Sequence, residues 1–378
     1  MRFPGFYNEW KKICIESLIT EEKIYTSDFE KYPLHSFTIE LGIIPKTERY
    51  ERGFLIKKDG NLFKVVQQND FVMNPMNLRF GAINYSKVSK SISVSGYYNI
   101  FRIDNCKFND FWNAYFKTPK ILNLYNSIAT GSLVEKKRVH FSQFKKIKMY
   151  MPCELEKQKI DTLIKLLDLR IETQSKIIND LKFLKEGISN LIFKISVIEN
   201  SNKTLQNFLI EGDKTPVDTK KYRKITIKLN KQGIVYSDLT REMADTRPFY
   251  LRHKGELIIG KQNYFNGSIA IVDSQFDSCI CSNAIMSFNV KNIDKNFLYY
   301  QISNNNYLNS QSYKANGTGQ KELSEKEFLK FKVWCPSNEL QKLIVYSIKG
   351  VDEKMNNEKI ILKKYIEQKE YLLNNLFI

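Results

Sequence analysis

Residues 152–193 read PCELEKQKIDTLIKLLDLRIETQSKIINDLKFLKEGISNLIF, with neither Gly nor Pro between Pro152 and Gly187. Such a stretch predicts one long helix. Counting from Ile160 in alternating steps of four and three gives ten positions, of which eight are apolar and two, Gln174 and Lys185, are polar. A seam this narrow is typical of a helix that pairs with another helix rather than one that lies on a globular core.

The same pattern returns 184 residues later, where Pro336 takes the place of Pro152. The shifted seam again has eight apolar positions of ten, and its polar positions, Glu358 and Lys369, fall on the equivalents of the first two. We therefore expect the two helices to pair with each other. The predicted seam comprises Ile160, Ile164, Leu167, Ile171, Ile178, Leu181, Ile344, Ile348, Val351, Met355, Leu362 and Tyr365.

One polar layer in an apolar seam can fix the register of a helix pair. Gln174 and Glu358 can meet in such a layer or offset one another. The alternative is that both side chains simply point to solvent.

The segments outside these helices contain short apolar and β-branched runs broken by Gly, Asn and Asp, which are typical of strands and turns. Each segment also carries a helical stretch near its end, at residues 110–116 and 296–303. The sequence thus predicts an α+β fold with twisted β-sheets. The predicted divisions are a first globular domain at 1–151, a helix at 152–194, a second globular domain at 195–335 and a helix at 336–378.

The net charge of +18 is concentrated in the globular segments. Residues 1–151 carry +10 and residues 195–335 carry +6, whereas each helix carries +1. A basic domain suggests a polyanionic partner, because neutralising phosphates releases condensed counterions.

Several polar stretches combine groups that contact phosphates with groups that read bases. Arg pairs with guanine, Asn and Gln pair with adenine, and aromatic rings stack on bases. The alternative is that such residues are common in any surface loop, and that a basic run is a solvated face. The candidates for DNA contact are Arg79, Asn84, Tyr85 and Lys87 in the first domain, and Lys220, Lys221, Arg223, Lys261, Gln262, Asn263 and Tyr264 in the second.

A glycine-containing stretch, NGTGQK at residues 316–321, precedes the second helix and has a shorter counterpart, ATGS, at residues 129–132. Backbone amides next to glycine can approach a phosphate, so Thr318, Gln320 and Lys321 are further candidates for DNA contact. A plain turn is the alternative. The stretch is neither a dinucleotide fingerprint nor a P-loop.

Motifs for catalysis and for metal binding are not found in the sequence. It has no Walker box, no glycine-rich S-adenosylmethionine loop and no Asn-Pro-Pro-Tyr tetrapeptide. Six scattered cysteines and three histidines suggest neither a disulfide framework nor a zinc site. With no signal peptide or long apolar run in this sequence, we expect a cytoplasmic protein.

Taken in order, four features resemble the specificity subunit of Type I restriction-modification enzymes. They are the two Pro-initiated helices, the GTGQKELS stretch at 317–324, the opening RFPGF at 2–6 with Glu9 and Trp10, and KTPVD at 214–218 with Tyr222. The resemblance covers nearly the whole chain. It departs from the family pattern at residues 130–135, where TGSLVE replaces the fuller glycine motif.

The resemblance implies a non-catalytic subunit with two target recognition domains, each of which reads one half of a bipartite, asymmetric DNA site. It implies an antiparallel pairing of the two helices, which act as a spacer. It further implies two modification subunits that bind S-adenosylmethionine, and restriction subunits that use ATP and Mg, with no cofactor or metal in this chain. The family is bacterial or archaeal.

A helix of about 40 residues spans about 60 Å, and duplex DNA rises about 3.4 Å per base pair. The spacer therefore predicts unread bases between the two halves of the site. The rival hypothesis is a coiled-coil adaptor or structural protein whose basic domains bind nucleic acid non-specifically. An enzyme with an unfamiliar site is a third possibility.

Overall fold

The computed structural model describes residues 3–39, 42–46, 63–104, 106–132, 137–199, 203–237, 247–312 and 322–377. The predictions for Thr318, Gln320 and Lys321 lie outside these residues. Small sheets alternate with helices, and two helices are long, so the predicted α+β class is confirmed. The chain divides into a first unit, Met1–Ser175 with Ile360–Ile378, and a second unit, Lys176–Lys359.

The described helices are α1 (Asn109–Tyr115), α2 (Pro119–Ile128), α3 (Phe141–Lys145), α4 (Glu154–Ile198), α5 (Lys295–Ile302), α6 (Asn305–Gln311), α7 (Glu325–Leu329) and α8 (Asn338–Leu376). The strands before α4 are β1 (Lys11–Cys14), β2 (Ile19–Glu22), β3 (Tyr25–Thr26), β4 (His35–Thr38), β5 (Gly42–Pro45), β6 (Phe63–Val66), β7 (Phe71–Met73), β8 (Ile83–Tyr85), β9 (Ile92–Ser95), β10 (Asn99–Ile103) and β11 (Lys148–Met151). Those after α4 are β12 (Leu209–Glu211), β13 (Ile225–Ile227), β14 (Ile234–Tyr236), β15 (Phe249–Arg252), β16 (Leu257–Gly260), β17 (Ile269–Ile271), β18 (Cys279–Ser282) and β19 (Ile285–Val290).

The two units repeat the same central sheet. Four antiparallel strands have the order β2-β10-β7-β8 in the first unit and β12-β19-β16-β17 in the second. The strands β7 and β16 begin 186 residues apart, as do the helices α1 and α5. The repeat that the sequence shows in the helices therefore extends to the globular domains.

The turn before β7 and β16 shows why the repeat holds despite divergent sequences. Its third residue has a positive φ, +72° at Asn69 and +95° at Gly255, which Asn and Gly tolerate best. The next residue is a buried carboxylate, Asp70 or Glu256. Each carboxylate accepts a hydrogen bond from the backbone amide three residues earlier and so closes the turn.

Aromatic side chains dominate the core of the first unit. Phe71 and Phe101 stack across the sheet with their ring centroids 5.3 Å apart. The start of α4 joins the same core through Ile160 and Ile164, and so does Phe377. The globular domain and the helices of this unit therefore share this cluster of the hydrophobic core.

The second unit has a main core around Leu257, Tyr264 and Phe288. A separate cluster fixes its helices, in which Ile192 of α4 lies with Val345 and neighbouring residues of α8.

Within each unit the two long helices run antiparallel, as the resemblance implies. In the first unit Ile164 shares a core with Phe377, and Asp168 bonds Lys369. As the residue number rises along α4, the number of the contacting residue in or next to α8 falls, as it must in an antiparallel pair. The same reversal appears in the second unit, where Lys185 bonds Asp352 at 2.7 and 2.8 Å and Ile192 lies with Val345. All twelve predicted seam residues are buried or half-buried.

The polar seam positions are not solvent-facing. Gln174 is 7% exposed and Glu358 is 6% exposed, so the alternative that both point to solvent is wrong. Glu358 forms an ion pair with Lys354 one turn earlier, at 2.5 Å. That Gln174 and Glu358 meet stays a prediction.

Candidate nucleic-acid interface

The second domain contains a polar cleft of about 260 Å³. One wall is the hairpin β13–β14 with Lys224 before it, and the other is the turn after β16, which carries Lys261, Gln262 and Asn263. The structure thus brings together the ends of two stretches that are separate in the sequence. We call this feature the second-domain cleft; its remaining polar side chains are Thr226, Ser237, Arg247, Ser268 and Ser282.

The backbone of the turn after β16 is anchored by its neighbours. The amide of Lys261 donates to the carbonyl of Ala284 at 3.0 Å, and Gly267 closes the turn with a φ of +75°. Gln262 and Asn263 are both exposed. The Nζ of Lys261 lies 3.8 Å from a Glu325 carboxylate oxygen, so its charge is partly balanced.

Tyr264 is a core residue, which corrects its prediction as a DNA contact. It is fully buried, and its hydroxyl donates to the carbonyl of Ile302 at 2.8 Å. Burial also raises the pKa of this hydroxyl well above its usual value. The ring anchors the turn from inside, while its neighbours face outward.

The basic run at the other wall is exposed. Lys220, Lys221 and Arg223 all lie at the surface. The guanidinium of Arg223 sits 3.5 Å from the ring centroid of Tyr236, which holds the cation in place without neutralising it. Lys224 extends over Phe249 at 4.5 Å. These groups can supply phosphate contacts beside the cleft.

The first-domain candidates do not form a comparable surface. Arg79 is buried, and its guanidinium lies 4.9 Å from the Phe80 ring centroid. Asn84 packs against Gly42, where an added Cβ would stand 2.3 Å from the Asn84 amide nitrogen. Because both side chains are occupied in packing, their predicted roles as open DNA contacts are not supported.

Tyr85 and Lys87 meet at Asp110 of α1. The Tyr85 hydroxyl donates to the Asp110 Oδ1 at 2.7 Å, and the Lys87 Nζ lies 3.2 Å from the same oxygen. Burial and the neighbouring carboxylate raise the pKa of Tyr85 far above its usual value. Of the four first-domain candidates only Lys87 is widely exposed, at 62% of its side chain.

Sequence reasoning missed Arg247 and Thr226 as lining residues of the cleft. Thr226 sits in an alternating strand, Ile225–Ile227, whose polar middle residue is the one signal that could have marked it. Arg247 has no motif around it, since only the pairing of distant strands brings it to the cleft. Among the described residues no cluster of three or more His, Cys, Asp or Glu side chains could hold a metal ion.

A comparison with known protein families matches the part of the chain that contains the cleft. Residues 196–368, which contain the cleft, match a family model described as Type I restriction modification DNA specificity domain. This part of the chain is thus similar to a Type I restriction-modification DNA specificity domain. The family match confirms the predicted resemblance and the predicted role in DNA sequence specificity, and nothing found favours the adaptor hypothesis.

Two solved structures share the fold of this chain. The Type I restriction-modification S subunit from M. genitalium is 14% identical, with a TM-score of 0.58, and the match covers 100% of this chain and 98% of that one. A chain from a structure of the type I R-M system, described for complex assembly and conformational transition, is 11% identical with a TM-score of 0.54, covering 99% and 98%. No curated protein matches this chain. No described helix is long and apolar enough to cross a membrane.

Proposed function

We propose that this chain is the non-catalytic DNA-reading subunit of a Type I restriction-modification complex and that it reads a bipartite, asymmetric site, one half with each domain. The observation that carries the proposal is the second-domain cleft inside the matched specificity domain. Its amide side chains, Gln262 and Asn263, suit the adenine edge in the major groove, and Arg247 suits guanine. Lys220, Lys221 and Arg223 would hold the phosphates.

The partners in this proposal are two modification subunits, with restriction subunits completing the complex. The long helices also carry exposed apolar side chains that these protein partners would cover. Leu155 is 67% exposed and Leu169 is 57% exposed in the first unit, and Phe183 is 69% exposed in the second. S-adenosylmethionine, ATP and Mg would bind to the partners, and this chain would bind no cofactor.

The test maps adenine methylation across a genome in cells that express this chain with a modification subunit from the same source. We expect a gapped motif that appears only when the chain is present. Gln262→Ala with Asn263→Ala should relax one half of the motif. Lys254→Ala, an exposed lysine at the opposite end of β16, is the matched control and should leave the motif intact.

Salt dependence separates a specific reader from the rival adaptor. Raising the salt concentration screens the phosphate contacts and weakens non-specific binding first. The complex of this chain with its modification subunit should keep its preference for one DNA sequence under those conditions. Binding that shows no sequence preference at any salt concentration would refute the proposal.

A further inference from the structure

The first domain contains a turn with the same backbone bonding as the turn that forms the second-domain cleft. It follows β7 and spans Asn74 to Ala82. The amide of Asn74 donates to the carbonyl of Ala82 at 3.0 Å, and the amide of Ala82 donates to the carbonyl of Asn77 at 3.1 Å. The turn ends at Gly81, which has a φ of +85°.

The second-domain turn repeats each of these features 186 residues later. The amide of Gly260 donates to the carbonyl of Ser268 at 3.0 Å, and the amide of Ser268 donates to the carbonyl of Asn263 at 3.0 Å. Gly267 stands where Gly81 stands, with a φ of +75°. The two turns are therefore the same structural element.

Asn77 occupies the position of Asn263 in this element. Each residue precedes a single 3-10 turn, with φ and ψ of −105° and 6° at Asn77 and −123° and 15° at Asn263. Both side chains are exposed. The same residue type therefore leaves the turn from the same backbone conformation in both domains. The amides differ in one contact, since the Asn263 Oδ1 accepts a hydrogen bond from the Asn266 Nδ2 at 3.2 Å and the equivalent residue of the first domain is Phe80.

The positions before this asparagine differ between the domains. Met76, 37% exposed, stands where Gln262 stands, and Pro75 stands where Lys261 stands. Gln offers a bidentate hydrogen bond to adenine, whereas Met offers only an apolar contact, such as one with a thymine methyl group. One scaffold thus presents one shared amide and one divergent side chain.

The first-domain stretch at residues 84–87 corresponds to second-domain residues that do not line the cleft. Its strand, Ile83–Tyr85, corresponds to Ile269–Ile271 of the second domain, which lies against the core. Its polar groups are also already engaged, since Tyr85 bonds Asp110 and Lys87 pairs with the same carboxylate.

We propose that the turn Asn74–Asn77 is the base-reading element of the first domain, with Asn77 as the amide that reads a base and Met76 as the residue that makes the first half-site differ from the second. The inference rests on the proposed function. It moves the reading surface of the first domain away from residues 79–87.

The test uses the full chain with its modification subunit and compares methylated motifs. Asn77→Ala should relax one half of the motif, with methylation of the original half-site falling about tenfold or more relative to alternatives. Asn263→Ala should relax the other half. Met76→Gln should change the bases of the half that Asn77→Ala relaxes. Lys87→Ala changes the exposed lysine of residues 79–87 and should alter neither half of the motif.

Three results would overturn the inference while leaving the proposed function standing. They are a wild-type gapped motif that Asn77→Ala and Met76→Gln both leave unchanged, a motif half that responds to Lys87→Ala instead, or two asparagine variants that relax the same half. If Asn77→Ala abolishes methylation through misfolding, shown by a lower melting temperature, Met76→Gln alone decides. Failure of the wild-type chain to direct any motif counts against the proposed function itself.

Discussion

At the scale of single residues, the buried carboxylates Asp70 and Glu256 occupy equivalent positions in the two domains but have different partners. Asp70 accepts hydrogen bonds from the Arg102 Nε at 2.9 Å and from a terminal nitrogen at 2.6 Å, and 37% of the Arg102 side chain is exposed. Glu256 accepts from the Ser287 hydroxyl and lies 3.7 Å from Arg252, which is only 2% exposed. The two arginines therefore differ much more in exposure than the two carboxylates do.

This difference predicts unequal costs of truncation. Glu256→Ala leaves a buried guanidinium without its carboxylate, and it should lower the free energy of unfolding by about 3–5 kcal/mol. Asp70→Ala leaves Arg102 able to reach water, and the expected loss is about 1–3 kcal/mol. Urea denaturation of both variants measures the two values. Equal losses would show that the exposure of the arginine does not set the cost.

Lys117 gives the second prediction, a dependence of stability on pH. Burial lowers its pKa to about 8; the nearby Lys369 and Lys87 act in the same direction, and Asp168 opposes them. An unfolded lysine titrates near pH 10.4, so between pH 8 and that value the unfolded chain binds more protons. The contribution of Lys117 to stability therefore rises with pH across this window and is least favourable below pH 8.

Replacing this lysine should stabilise the protein at neutral pH. Lys117→Met removes a half-buried charge whose pKa is lowered, so the free energy of unfolding should rise by about 1–3 kcal/mol at pH 7. The gain should shrink as the pH is raised from 8 to 10. Thermal denaturation at several pH values measures it, and Lys120→Met, at an exposed position three residues later, serves as control. A gain that is independent of pH would contradict the electrostatic explanation.

At the scale of elements, the long helices were predictable because their signal is local and periodic. Eight apolar positions of ten specify a helix and its buried face without reference to any distant residue. The sequence also identified Lys185 and Lys369 as polar positions in the apolar seam, but it did not identify the residues that pair with them. Those partners, Asp352 and Asp168, became evident only when the antiparallel alignment placed them opposite.

The turn after β16 shows where sequence reasoning ends at this scale. Residues 261–264 were all candidates for DNA contact, yet Tyr264 faces the core while Gln262 and Asn263 face outward. In a turn the direction of each side chain depends on backbone angles, not on a fixed period, so composition cannot sort inside from outside. The equivalence of Asn77 with Asn263 likewise required the backbone bonds.

The repeated ion pairs predict a coupling that a double-mutant cycle can measure. Asp168 and Lys369 are 31% and 28% exposed, so solvent screens them only in part. Replacing each by Ala, singly and together, should give a coupling of about 0.5–1 kcal/mol. The pair Lys185 and Asp352, related to the first by the 184-residue shift, should give a similar value.

The control for this cycle is an ion pair within one helix, Lys363 with Glu367, which is widely exposed on both sides. Its coupling should be smaller, at the lower end for surface pairs. A cycle at Asp168 and Lys369 that gives no coupling would show that the pair contributes nothing to the antiparallel alignment.

At the scale of the whole molecule, the repeat shows which features the two domains share and which differ between them. Both domains keep the sheet order, the positive-φ turn and the exposed asparagine. They differ at Met76 and Gln262 and in net charge, +10 against +6. A shared scaffold with divergent exposed residues suits the proposed bipartite target, whose two halves differ. In that proposal the long helices set the distance between the halves.

The proposed spacer role therefore predicts that helix length sets the unread gap. Seven residues inserted after Lys176 of α4, with seven more after Ile360 of α8, preserve the apolar seam, because a heptad restores its phase. Each insertion adds about 10 Å of helix, or about 3 base pairs of duplex. Methylation mapping should return the same two half-sites with the gap lengthened by about that number. Four residues inserted in α4 alone shift its seam against α8 and should abolish modification, whereas an unchanged gap in the paired variant would refute the spacer role.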